Sequence, residues 1–168
     1  MTDDSPGPFR AAVLSVSSSR AGGSGEEDLS GDELVAFAEG LGAEVATREL
    51  IDDRREVIAD RLTYLSDEFG CDLLLTTGGT GFSPDDVTPE ATRDVADRDA
   101  PGIAEAMRLA SREHTPNWML SRNVAVVRGT TLIVNFPGSP KAITEAGEAI
   151  AAALPHALRL LRGGPSGH

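Results

Sequence analysis

The sequence predicts an α/β fold, a mostly parallel sheet with helices on both faces and one antiparallel edge, on three observations. Short apolar, β-branched runs alternate with segments of helical period, which is the pattern of strand–helix–strand units. One run, Asp72 to Thr77 (DLLLTT), is apolar through its centre and leaves no polar face for solvent, as a strand covered on both sides requires. Gly129-Thr130 joins the last two runs at the spacing of a tight hairpin, so one strand pair is antiparallel.

The elements follow in order. Arg10 to Ser17 (RAAVLSVS) reads as the first strand, and Ser18 to Asp28 as a polar loop. Leu34, Phe37, Ala38 and Leu41 then fall on one helical face, with Ser30 or Asp32 available as the cap and Gly42 closing the helix. Ala43 to Ile51 is the second strand, after which Asp52-Asp53 leads into a helix that aligns Ile58, Leu62, Leu65 and Phe69. The third strand, Asp72 to Thr77, ends at Gly78. Thr88 to Ala96 is read as a helix capped by Thr88 with Pro89 in its first turn, and Gly102 to Arg112 as another, striped by Ile103, Ala106, Met107 and Ala110. The hairpin strands are Val124 to Arg128 and Thr131 to Phe136. The last helix starts at Ser139-Pro140, carries Ile143, Ala146 and Ile150, and resumes through Leu154, Leu158 and Leu161 beyond a kink at Pro155.

A chain of 168 residues is expected to form one domain, here 9–162, with polar tails at 1–8 and 163–168 that offer no apolar surface to bury. No apolar run approaches the ~20 residues needed to cross a bilayer, and acids stand where a secretory signal would be basic, so a cytoplasmic protein is expected. The net charge of −12 opposes binding to nucleic acid or an anionic membrane. Such a surface suits high salt, where screening removes self-repulsion, and predicts a salt-loving source organism. Thermal unfolding is then expected to shift upward between low and molar KCl, and equal stability in both removes the idea. Cys71 has no partner for a disulfide and is expected to pack near a strand edge. His114, His156 and His168 lack metal-ligand spacing, no nucleophile-elbow serine occurs, and Trp118 and Tyr64 make no stacking platform.

Ligands of open α/β sheets collect beyond the carboxyl ends of the strands, so the loops after strands are where chemistry is sought. These are Ser17 to Arg20, Asp52-Asp53, Thr77 to Asp86 and Pro137 to Lys141. Thr76-Thr77-Gly78-Gly79-Thr80-Gly81 permits backbone N–H groups to converge on a phosphate, or is a tight structural turn; it is neither a P-loop nor a dinucleotide fingerprint. Asp85 and Asp86, before the Thr88 helix, suit either its dipole or a magnesium ion, and Asp52 and Asp53 either a cap or function. Lys141, the chain's only lysine beside fourteen arginines, stands in the first turn of a helix where the dipole disfavours a cation; a bound phosphate or an outward solvated face accounts for it.

Taken together, these segments resemble the MoaB/Mog family of molybdopterin-binding proteins across nearly the whole chain. The resemblance is carried by Val16-Ser17 with Arg20, Asp28-Leu29-Ser30-Gly31, Asp52-Asp53, Thr76 to Gly81, Asp86-Val87-Thr88-Pro89-Glu90-Ala91, Met119-Leu120-Ser121-Arg122 and Pro137-Gly138-Ser139-Pro140. It implies a three-layer α/β/α fold, assembly as a homo-oligomer (trimer or hexamer), and a surface pocket for the pterin and its phosphate. It also implies a step of molybdenum cofactor biosynthesis, in which the molybdopterin phosphate attacks the α-phosphorus of Mg·ATP and pyrophosphate leaves.

By position, Asp53 and Asp86 match the family's two active-site acids, expected as catalytic residues and Mg²⁺ ligands with Asp53 the principal one. Ser121 and the Gly78, Gly79, Thr80, Gly81 loop match pterin-phosphate contacts; Ser17, Thr77, Gly138, Ser139 and Lys141 complete the expected substrate-binding set. Two departures make the site more negative: Asp85 where arginine is common, and Ser18-Ser19-Arg20 where an acid often follows Val-Ser. The alternative is a binding module that holds the pterin without adenylylating it. Acids at both 53 and 86 favour the enzyme, since carboxylates facing a phosphate need a cation between them.

Overall fold

The first strand shows why two helix layers are recruited. In β1 (Arg10–Val16), Ala11 and Val13 enter one apolar core while Ala12, Leu14 and Val16 enter a second on the opposite face, and all five are buried. The computed structural model, which describes residues 7–17, 19, 22–23 and 27–166, supplies a layer for each. The elements after β1 are α1 (Leu29–Gly40), β2 (Glu44–Ile51), α2 (Arg55–Asp67), β3 (Leu73–Thr77), α3 (Thr88–Asp94), β4 (Arg98–Asp99), α4 (Pro101–Ser111), a 3₁₀ turn (Trp118–Leu120), β5 (Ala125–Arg128), β6 (Thr131–Phe136), α5 (Pro140–Ile150) and α6 (Leu154–Leu161). Helices α1, α4, α5 and α6 cover the Val13 face through Leu34, Met107, Ile143 and Leu158; α2 and α3 cover the Leu14 face through Ile58, Leu62 and Ala91. The expected three-layer α/β/α arrangement is thus present.

The sheet runs β2-β1-β3-β6-β5-β4. The first three pairings are parallel, with Val16 opposite Ile51, Ser15 opposite Thr77 and Thr77 opposite Phe136. The β5–β6 hairpin is antiparallel with Arg128 opposite Thr131, and Gly129 takes φ +54° in the turn. The antiparallel edge is wider than expected: the two-residue β4 adds a second such pairing, Arg98 opposite Val127. Two residues carry no readable alternation, so only tertiary pairing reveals the strand.

Three helix boundaries also differ from expectation. Asp28 caps α1 by accepting the Gly31 N–H, displacing Ser30 and Asp32, whose side chains are taken up by Gly138 O and Arg48. Thr88 is the first residue of α3, with Val87 at the cap position, because its hydroxyl is used elsewhere. The last helical stretch is two helices: the chain turns at 151–153, and Pro155 sits in the first turn of α6, where its missing N–H costs nothing.

The arginine-rich composition has a structural use. Bidentate pairs Arg55–Asp94, Arg61–Glu49, Arg128–Asp67 and Arg162–Asp72 each join separate elements, a geometry lysine does not offer. Arg162 also stacks on Phe9, 4.5 Å from its ring centre, tying the end of the fold to its beginning. Cys71 is buried, as expected, and burial pushes its thiol up to about 11. Among the described residues no helix is long and apolar enough to cross a membrane.

Candidate functional site

The sheet order reverses between β1 and β3: the chain goes from β1 outward to β2 and returns on the other side of β1 as β3. Parallel strands that diverge in this way leave a crevice at their carboxyl ends. Ser17 leaves β1 there, its N–H bonded to Ile51 O at 3.0 Å, and Asp52 and Asp53 follow Ile51 directly; all three are half-buried. The glycine turn leaves β3 beside them. Gly78 and Gly79 take φ +95° and +69°, and a Cβ on Gly78 would lie 2.6 Å from Val16 O. Only glycine fits that left-handed conformation against the end of β1.

The loop after β6 closes on the same turn. Gly138 approaches so near that a Cβ there would stand 3.8 Å from Gly78 Cα. It is held by two hydroxyls: Thr77 Oγ1 donates to Pro137 O at 2.7 Å, and Ser30 Oγ to Gly138 O at 2.6 Å. Ser30 is in turn fixed by the α1 cap. The Asp28 carboxylate, nearly buried, accepts from Ser15 Oγ at 2.6 Å, Gly31 N at 3.0 Å and Arg48 Nη2 at 3.1 Å. Burial pushes the Asp28 carboxyl up, but these three donors outweigh it and hold the group below its ordinary value, so it stays charged.

On the other side, α3 is locked to the sheet by a buried polar network. Asn135 donates to Thr76 Oγ1 and Thr92 Oγ1, both at 3.0 Å, and accepts from Val124 N at 3.2 Å. The start of α3 is thereby pressed onto the glycine turn, where Thr88 N bonds Gly79 O at 3.1 Å and Thr88 Oγ1 bonds Gly78 O at 2.9 Å. Beyond the turn, Asp86 Oδ2 accepts the Ser83 N–H at 3.0 Å and lies where a Cβ on Gly81 would meet it at 2.8 Å. Arg122 spans this loop: its backbone N bonds Thr80 O at 2.9 Å, Nε bonds Gly81 O at 2.7 Å, Nη2 bonds Asp86 O at 2.6 Å, and the guanidinium pairs with Glu90.

Ser121, one residue before this clamp, stands between two hollows. One, of about 170 Å³, is walled by Trp118, Met107, Pro137 and Ala146; the other, of about 410 Å³, by Arg93, Asp99, Pro101 and Arg122; Arg108, Ser121 and Asn123 line both. Arg108 donates to the Asn123 carbonyl at 2.8 Å and its side-chain oxygen at 2.9 Å, and Ser121 Oγ reaches the same side-chain oxygen at 2.9 Å.

Residues 12–156 match the family model described as a probable molybdopterin binding domain. The chain belongs to that molybdopterin-binding family. Among its relatives, the molybdopterin adenylyltransferase of Helicobacter pylori strain J99 is 44% identical over 115 residues, 68% of this chain and 65% of that protein. That of Haemophilus influenzae is 46% identical over 126 residues, 68% of this chain and 64% of the relative. The match thus spans about two thirds of the length of these curated relatives. The crystal structure of the molybdopterin biosynthesis enzyme MoaB of Thermus thermophilus superposes with a TM-score of 0.86 at 46% identity, covering 94% of this chain and 98% of that one.

This member of the family brings Ser17, Asp53, Thr77, the Gly78 to Gly81 turn, Asp86, Gly138 and Ser139 to one edge of the sheet, the edge formed by its parallel strand ends. Ser139 is also the α5 cap, accepting the Ala142 N–H at 3.3 Å. Lys141 is in the first turn of α5 as expected, but its side chain is 86% exposed and its ammonium lies 4.0 Å from Glu145. Ser121 opens onto the two hollows, which neither Asp53 nor Asp86 lines. Ser18 and Arg20, singled out in the sequence, lie outside the described residues. In the sequence Arg122 stands out only as part of a motif, and nothing marks Trp118 as a pocket wall. The apolar neighbours of Trp118 come from α4, α5 and the loop after β6, which no local pattern foretells.

Proposed function

We propose that this domain adenylylates molybdopterin: the terminal phosphate of the pterin attacks the α-phosphorus of ATP, and pyrophosphate leaves. The observation that carries the reading is the shared strand-end edge, where the glycine turn after β3, with Asp86 further along the same loop, lies across the end of β1 from the loop after β2 that carries Asp53. The names of the bacterial relatives support it. Joining two phosphate-bearing anions is chiefly a problem of positioning and charge, so a rigid turn flanked by carboxylates is apt only with a cation between them.

The donor set suits Mg²⁺. Asp53 and Asp86 are oxygen donors at the strand-end edge, and Mg²⁺ prefers one or two carboxylates with water and substrate phosphates completing its shell. Bound there, it would neutralise phosphate charge. The protein's own part is to hold the attacking phosphate on the Gly78 to Gly81 amides, with Ser17, Thr77, Gly138, Ser139 and Lys141 around it, while Ser121 orients the pterin. The hollow lined by Trp118, Met107 and Pro137 offers apolar surface to a heteroaromatic ring. A homo-oligomer belongs to the same reading, supported by the exposed apolar side chains Phe82, Leu109 and Met119.

The test is pyrophosphate release by the purified protein in KCl with Mg·ATP, with and without molybdopterin. Release that depends on the pterin is expected, and substitution of GTP reads the nucleotide preference. Tight binding of molybdopterin with no pyrophosphate release would make the domain a binding module instead.

A further inference from the structure

We infer that Arg122, braced by Glu90, is a positioning residue that sets where Asp86 stands relative to Ser121; the inference rests on the function proposed above. The segment Gly81 to Asp86 bulges from the sheet, and its internal bonds, Asp86 N to Ser83 O at 2.9 Å and Ser83 N to Asp86 Oδ2 at 3.0 Å, fix only its own shape. The Thr88 bonds to Gly78 and Gly79 hold the chain on either side of it, and one guanidinium grips the segment itself at both ends, Gly81 O through Nε and Asp86 O through Nη2. The same residue's backbone N–H holds Thr80 O, and the residue before it is Ser121. A single residue therefore connects the glycine turn, the second acid and the pocket serine.

The geometry explains why an arginine is needed. Two carbonyls from opposite ends of a loop and a carboxylate converge on different edges of one planar fork, whose donors are fixed relative to one another. An ammonium at the same place has no such frame and cannot hold the three partners at set angles. Glu90, from the first turn of α3, accepts from Nη1 and keeps the fork in plane; Arg122 in turn holds the Glu90 carboxyl below its ordinary value, so the pair remains charged at neutral pH. Since α3 is anchored to the sheet through Thr92 and Asn135, Glu90 transmits that rigidity to the loop.

The experiment compares wild type, Arg122→Lys, Asp86→Asn and the double variant. Each is measured for thermal unfolding, for kcat and KM with molybdopterin and Mg·ATP, and for amide exchange in the peptide covering 81–86. Arg122→Lys is expected to stay folded and lose roughly 10- to 100-fold in kcat, the size of effect that a displaced reacting geometry produces, with KM for ATP little changed. Exchange of the Ser83 and Asp86 amides is expected to quicken. In the double variant the two kcat losses should fall well short of multiplying, because Arg122 acts through Asp86. Wild-type kcat in Arg122→Lys, or losses that multiply in full, would overturn the inference. Should wild type release no pyrophosphate, the proposed function falls while loop exchange still decides the positioning role: unchanged exchange in Arg122→Lys overturns it, and faster exchange upholds it.

Discussion

Asp53→Asn and Asp86→Asn are each expected to lower AMP transfer roughly 100- to 1,000-fold, the loss that follows removal of one preorganised charge-stabilising group, while the protein remains folded. The two variants isolate charge from shape. Asp86 Oδ2 accepts the Ser83 N–H, and an asparagine oxygen can accept the same bond, so the 82–86 turn should survive. What disappears is half of the negative charge with which the two loops would hold a cation between the substrates. Steady-state kinetics over a range of Mg²⁺ concentration reads the difference, since a weakened ligand raises the Mg²⁺ needed for half-maximal rate. Full activity in Asp53→Asn would refute its assignment as principal ligand.

The second large effect is expected from Gly78→Ala. Two costs combine at this position: a left-handed φ of +95°, and a Cβ placed 2.6 Å from the Val16 carbonyl. The first alone is worth about 1–3 kcal/mol, and the second forces backbone of a central strand to move. A loss of at least about 2 kcal/mol corresponds to roughly 4–8 °C in melting temperature for a domain of this size. Gly129→Ala is the control. Its φ is +54° but nothing lies within 4 Å of the added carbon, so only the conformational cost applies and no loss of activity is expected. Gly78→Ala should lose transfer activity out of proportion to its stability, because the turn that shifts is the one proposed to receive phosphate.

Much of this architecture is written locally in the chain. The Gly129-Thr130 hairpin, Pro140 after the Ser139 cap, and the closing Gly42 are each decided by neighbours in sequence, and each appears as expected. The fully apolar Leu73 to Leu75 run could belong only to a central strand, and its place between β1 and β6 carries the glycine turn to the crevice. Less legible were features whose deciding partner is remote. Asp28 caps α1 because Ser30 is drawn to Gly138 O, 108 residues away, a competition invisible in the segment itself. Thr88 looked like a cap and instead bonds the Gly78 carbonyl. Arg122 finds its partners 32 to 41 residues earlier in the chain, at Glu90, Asp86 and Gly81, so its clamp is readable only from the fold.

Which phosphorus of ATP is transferred can be read directly with labelled nucleotide. Incubation of the protein with molybdopterin, Mg²⁺ and ATP carrying the label at either the α- or the γ-phosphate should place α-label on the pterin and release γ-label as pyrophosphate. Label from the γ-position on the pterin, or none from either, would contradict the account.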